Sequence, residues 1–273
     1  NHVTPYSTRE GFPGDSAIAF YQDPEGDLWV GTRDVGLCQL RAGRFRVYST
    51  QDGLPHNNIA AIFADSLGRV WVGTSGGIGR WQDGVITGFT ARDGLNGGTI
   101  TEDRAGNIWA SAQRKLLRYR DGRFTSFPMQ NGPPANSSVS ELLGDRAGNL
   151  WIGLFGDGLR LYRDGRLTIY TMANGLVDNY VINLYEDRAG GIWIGTLNGL
   201  SRLQNGRFTN WTTDDGLSSN RPLSFYEDRQ GSMWIGTSGG GLNRFKEGKF
   251  VAITRKDGLY DNLAFQILSD TED

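Results

Sequence analysis

Arg33 and Asp34 in "TRDVG", Gln113 and Arg114 in "SAQRK", Phe155 and Asp157 in "LFGDG", and Asn198 in "TLNG" put aromatic, amide, guanidinium and carboxylate groups into short polar stretches. His56, Tyr180, Arg221 and Tyr260 extend the set from a second series of stretches. Rings that stack on apolar faces, beside groups that bond hydroxyls, are the equipment for holding a sugar or another polar small molecule. Ordinary solvated loops carry the same residue types, so any one of these residues is a weak sign alone.

Catalysis finds less support. His2 and His56 are the only histidines and stand fifty-four residues apart. With Cys38 as the single cysteine, no Cys/His metal spacing can form. No G-x-S-x-G elbow is present. Carboxylates such as Asp34 and Asp157 could in principle share acid–base work, but the chain reads as a binding module, with neither metal nor cofactor expected. Its 28 basic and 30 acidic residues give no basic face for nucleic acid. No apolar run approaches the roughly 18–20 residues of a spanning helix. No leader peptide is visible.

The elements that would carry these groups follow from a repeat. The phrase D-x-x-G-x-x-W occurs as Asp23-Gly26-Trp29, Asp65-Gly68-Trp71, Asp103-Gly106-Trp109, Asp145-Gly148-Trp151, Asp187-Gly190-Trp193 and Asp228-Gly231-Trp234. The tryptophans lie 42, 38, 42, 42 and 41 residues apart. Each unit holds four short apolar runs, here named a to d, separated by turn signals and without helical periodicity. Four antiparallel strands per forty-odd residues predict a β-propeller of six complete blades. Strands at 1–12 and 262–273 are expected to belong to a partial seventh blade, so residues 1–273 read as one propeller fragment of a parent with about seven blades. Asp and Gly of the phrase are read as turn residues. The indoles are read as wedges between blades, each worth about 4–6 kcal/mol as an upper bound.

Spacing within the unit separates two kinds of connection. Anchor Asp to Trp is always 6 residues, and the Gly of the c–d turn to the Asp or Asn of the "DGL" phrase is always 9. Trp to the c–d Gly is 13 or 14, and the "DGL" residue to the next anchor is 10, 13 or 14. All variation therefore falls in the b–c and d–a connections, which leave the strands on one side. Function sits on loops borne by a rigid scaffold, so this is the expected working side. Asn57, Asn179, Asn220 and Asn262 recur in the d–a connections and are read as loop caps. The third unit departs most, with "WASAQRKLLRY" and an incoming connection three residues short. A pocket lopsided towards units 2 to 4 is expected.

Six copies of a phrase near "EDRxGxxWIGTxxGLxR", followed by "GRF" and "DGL", resemble the two-component regulator propeller repeat over essentially the whole chain. Gly-His and Trp-Asp pairs of WD40 units are absent. The resemblance implies a periplasmic sensor ectodomain of an inner-membrane histidine kinase, hybrid regulator or cyclase, with a carbohydrate or small polar ligand. A protein-interaction platform, docking a second propeller or a homodimer mate, remains the alternative. A propeller lyase is disfavoured, because the virginiamycin B lyases of similar pattern depend on an active-site histidine.

Overall fold

The computed structural model describes residues 11–14, 16–95, 98–112, 115–127 and 138–267. Among these, each repeat folds into a four-stranded antiparallel sheet with its strands in chain order. Blade 1 comprises Ala17–Gln22, Leu28–Thr32, Leu37–Arg41 and Arg44–Tyr48, blades 2 to 5 span 59–89, 100–127, 138–170 and 181–211, and blade 6 comprises Pro222–Glu227, Met233–Thr237, Leu242–Lys246 and Lys249–Ile253. The fold is an all-β propeller of six such blades. The chain divides into two compact units, one holding blades 1 to 3 and the other blades 4 to 6 together with residues 103–105.

The invariant spacing of the anchor has a direct cause. The Asp carboxylate accepts the indole N–H six residues later: Trp29 to Asp23 at 2.8 Å, Trp71 to Asp65 at 2.6 Å, Trp151 to Asp145, Trp193 to Asp187 and Trp234 to Asp228 each at 2.8 Å. The other carboxylate oxygen accepts the backbone N–H four residues on, as in Asp187 with Gly191 at 2.7 Å. The turn glycine between them has positive φ, +77° at Gly190. One residue more or fewer would leave a buried indole N–H without its acceptor, at about 1–3 kcal/mol. The Asp is thus a turn residue and an indole acceptor at once, and the second role was not read from the sequence.

The indoles wedge adjacent blades apart. Trp29 meets Trp81 of blade 2 edge-on at 4.8 Å, Trp71 meets Tyr119 of blade 3 at 5.0 Å, and Trp193 meets Phe245 of blade 6 at 5.5 Å. Each receiving ring is the apolar strand-c slot. The glycine two residues after five of the six anchor tryptophans lets the next blade approach; Ser111 stands there after Trp109. A Cβ on Gly31 would stand 2.5 Å from Ile59 Cγ2, and one on Gly153 would stand 2.7 Å from Val181 Cγ1.

A second link joins the a–b turns. Glu102 accepts Ser66 N–H at 2.7 Å, Glu186 accepts Arg146 N–H at 2.9 Å, and Glu227 accepts Arg188 N–H at 2.6 Å, each reaching the preceding blade. In the opposite sense, Arg104 donates to Arg146 O at 3.0 Å and Arg188 to Asp228 O at 2.9 Å. The "EDR" phrase is therefore one residue for each neighbour and one for its own Trp. Pro24 has no N–H to offer, and blade 2 carries Ala64 where the Glu would stand.

The d–a connections differ from the sequence reading in one respect: among the described residues, the phrases at Asp52, Asp93, Asn174, Asp215 and Asp257 each close a one-turn 3-10 helix. Thr212 caps the one at Asp215, Asp215 returns a bond to Thr212 N–H at 2.9 Å, and Gly216 ends it at φ +96°. The recurrent asparagines are loop caps, as read. Asn57, Asn179, Asn220 and Asn262 accept the N–H of Thr50, Met172, Thr213 and Arg255 at 2.8–2.9 Å.

The partial seventh blade is not shown. Of the strand expected over 1–12, residues 1–10 lie outside the described residues. Residues 262–267 form no strand, because no strand b stands among the described residues for them to ladder with. They still dock in register: Leu263 bridges Ser238, and Ala264 O approaches Gly236 as Pro222 O approaches Gly195.

Asp187 carries more than the turn and the indole, since Arg202 Nε also donates to it at 2.7 Å, as Arg69 Nε does to Asp65. Asp187→Ala strands an indole N–H, an amide N–H and a guanidinium. We expect a loss of about 3–5 kcal/mol in chemical denaturation, and a loss below about 1 kcal/mol would show the anchor to be ornamental.

Candidate functional site

The longer b–c loops show what their extra residue does. In blade 4, Gly156 and Gly158 N–H both donate to Asn179 O, at 3.2 and 2.8 Å. In blade 6, Gly239 and Gly241 N–H both donate to Asn262 O, at 3.1 and 2.7 Å. Part of the length variation thus serves to tie the loop to the outgoing d–a connection, so variation alone does not mark a binding edge.

Four of the sequence-predicted residues meet in the second unit. Phe155 and Tyr180 are joined by an antiparallel bridge, and their rings stand edge to face at 5.0 Å and 79°. Each ring is about two-fifths exposed, 43% and 42%. Gly156 lies against Tyr180, where a Cβ would stand 3.3 Å from Cε1. Asp157 follows in the same loop. Leu197 N–H donates to Tyr180 O at 3.1 Å, which brings the blade 5 loop alongside. There Asn198 Nδ2 donates to buried Asp178 at 3.1 Å.

Arg160, which the sequence reading missed, supports this loop from below. It is buried, and its guanidinium takes both the carbonyl of Asp157, at 3.1 Å, and the Asp157 carboxylate. The corresponding strand-c positions hold Cys38, Gly79, Leu117, Ser201 and Asn243. A single charged residue in an otherwise uncharged slot was the available signal.

The remaining candidates have contacts and settings of their own. Arg33 and Asp34 are exposed in the blade 1 loop, where Arg33 N–H bonds Ser16 O at 3.1 Å. His56 is exposed, and its Nδ1 accepts Asn58 N–H at 2.9 Å. Arg221 and Tyr260 are exposed on the d–a connections that follow blades 5 and 6, Tyr260 almost wholly. Gln113 and Arg114 lie outside the described residues, and with them the expected asymmetry at unit 3. Among the described residues no three His, Cys, Asp or Glu side chains gather as a metal site, and no helix is long and apolar enough to cross a membrane.

Two buried groups lie apart from these loops. Cys38, fully buried on strand c, has its thiol pushed up to about 12 by burial, with Asp34 adding to the effect. Glu141 stands on strand a of blade 4 opposite Gly153, and burial pushes its carboxyl up to about 7 against the bond from Leu142 N–H. Its counterparts Asn183 and Ser224 donate to carbonyls of the next segment, Leu223 O at 2.9 Å and Ala264 O at 3.4 Å. A carboxyl group can donate in that manner only when protonated.

These features define a β-propeller whose repeat carries an Asp–indole anchor. The chain carries the two component regulator propeller repeat, whose family model matches residues 11–34, 53–76, 175–198 and 216–239. Each matched stretch begins at the glycine of a "DGL"-like phrase and runs through strands a and b. No curated protein matches the chain. Among solved structures, the extracellular domain of a hybrid two component system from B. thetaiotaomicron matches with a TM-score of 0.80 at 20% identity, over 98% of this chain and 39% of that one. A second such domain from the same organism matches at 0.55 and 22%, over 86% and 40%. Virginiamycin B lyase from Staphylococcus aureus matches at 0.71 and 16%, over 87% and 84%. At these identities the likeness is one of fold. The chain spans about two-fifths of the length of the two extracellular domains.

Two measurements follow. A thiol raised to about 12 and sealed from solvent stays silent: we expect no reaction of Cys38 with a disulfide reagent at pH 8 until denaturant is added, and rapid native labelling would contradict its burial. The folded chain holds the Glu141 proton to higher pH than the unfolded chain, whose value is near 4.5. Its contribution to stability is therefore full below about 4.5 and lost as pH rises towards 7. Glu141→Gln should flatten stability against pH across that window; an unchanged slope would place the titration elsewhere.

Proposed function

We propose that this chain is the ligand-sensing, extracytoplasmic propeller of a bacterial two-component-type receptor, taking a carbohydrate or other polar small molecule on its b–c and d–a loops. The observation that carries this reading is the meeting of Phe155, Asp157, Tyr180 and Asn198 on one backbone-tied surface of the second unit. Two adjoining part-exposed rings beside carboxylate and amide groups are ligand-binding chemistry. The repeat family and the extracellular domains of similar fold support a periplasmic place outside an inner membrane. A non-catalytic role fits the loops, where exposed His56 is the one described histidine and is engaged with its own backbone neighbour. For the lyase of similar fold, a histidine-to-alanine variant is catalytically inactive.

A second reading has an observation of its own. Phe12, Phe20, Leu28, Val30, Leu40 and Phe45 line an apolar hollow on blade 1. Leu40 occupies the slot that in blades 2, 3 and 6 receives a neighbour's indole. Such a surface suits a protein-interaction or dimerisation platform. Glycan-array binding of the purified chain, read together with sedimentation equilibrium, separates the two. Saccharide binding by a species of constant mass supports the sensor. Silence on the array with a mass that rises with concentration supports the platform.

A further inference from the structure

We propose that the Phe155–Tyr180 corner is a saccharide subsite selective for neutral sugars and closed to acidic ones. The proposal rests on the sensing reading above and narrows it to a ligand class.

The strongest argument is an internal comparison. Blades 4 and 6 build the same loop frame. Phe155 bridges Tyr180 as Ser238 bridges Leu263, and Asn179 O takes two loop N–H groups as Asn262 O does. On that frame blade 6 carries Ser238, Gly240, Asn243 and Leu263 where blade 4 carries Phe155, Asp157, Arg160 and Tyr180. Folding the frame therefore requires neither ring, nor the carboxylate, nor the guanidinium. In blade 6 the Asn243 side chain simply holds Ser218, accepting its N–H at 3.1 Å. In blade 4 the same place holds a buried cation that fixes a surface carboxylate.

The geometry suits a pyranose. Two perpendicular rings, each partly bare, make a corner against which the C–H face of a sugar ring can lie. Gly156 lies against the Tyr180 ring, where a Cβ would stand 3.3 Å from Cε1. Asp157, with its side chain about a quarter exposed (27%), offers acceptor oxygens to hydroxyls, and its position is set by Arg160. Asn198 adds an amide next to Leu197, whose N–H bonds Tyr180 O, and is itself held by Asp178.

Charge sets the class. The segments 154–158, 176–180 and 196–199 hold two carboxylates, Asp157 and Asp178, and no Lys or Arg. The cation that stands close, Arg160, has a side chain only 4% exposed and is already engaged by Asp157. A uronate or sulfate here would meet these carboxylates with no Lys or Arg from the three segments to balance it.

The test uses the whole chain and two hexasaccharide sets, cellohexaose and mannohexaose against hexagalacturonate and a chondroitin sulfate hexamer, by titration calorimetry. The variants Phe155→Ser and Tyr180→Leu copy blade 6 and so keep the frame. Binding of a neutral hexamer that weakens at least tenfold in both variants, with no binding of acidic hexamers, is the expected result. Acidic hexamers binding best would overturn the class while leaving the sensing reading in place. Neutral binding unchanged in both variants would overturn the subsite alone. No binding by either set would remove the sensing reading together with this one.

Discussion

An indole N–H buried between two sheets needs an acceptor, and in this chain the acceptor is a carboxylate six residues earlier. Much else depends on that bond. It fixes the length of the a–b turn, because the same carboxylate must also close the turn through the backbone N–H at the fourth residue. It sets the indole flat against its own sheet with its edge offered to the next blade. It also places the following glycine where the neighbouring strand a can approach to contact distance. Burial of the rings supplies the driving force, and the carboxylate gives it one geometry.

Much of the fold was open to reading because these constraints repeat. A ruler of 6 and 9 residues beside segments of 13 or 14 separates tied connections from freer ones without any coordinates. The strand-c apolar slot and the asparagine caps were legible for the same reason. What repetition cannot show is the purpose of a residue that occurs once. Arg160 was hidden because its partner, Asp157, lies only three residues away and looks like surface loop. Glu141 was hidden because a bulged strand start gives no alternation by which to place it. The "EDR" links escaped because their bonds run between residues about forty apart.

The variable loops gave a partly misleading signal. Length variation reads as freedom, yet in blades 4 and 6 the extra residue lets the loop bond the outgoing connection. Chemistry distinguishes the two better than length does. On matching frames, blade 6 bears small or aliphatic residues and blade 4 bears two rings, a carboxylate and a buried cation. A repeat architecture thus supplies its own reference, and a departure from the reference at constant backbone is a sign of use.

The direct examination of the anchor is hydrogen exchange at the indole nitrogens, resolved by ¹⁵N spectra of tryptophan-labelled protein. If the carboxylate bond holds each wedge, the indole protons of Trp71, Trp151 and Trp193 exchange as slowly as the amides of the strands that carry them. Exchange at these three at the rate of free tryptophan, in a chain whose strand amides stay protected, would show blades that stand without the bond and would contradict its governing role.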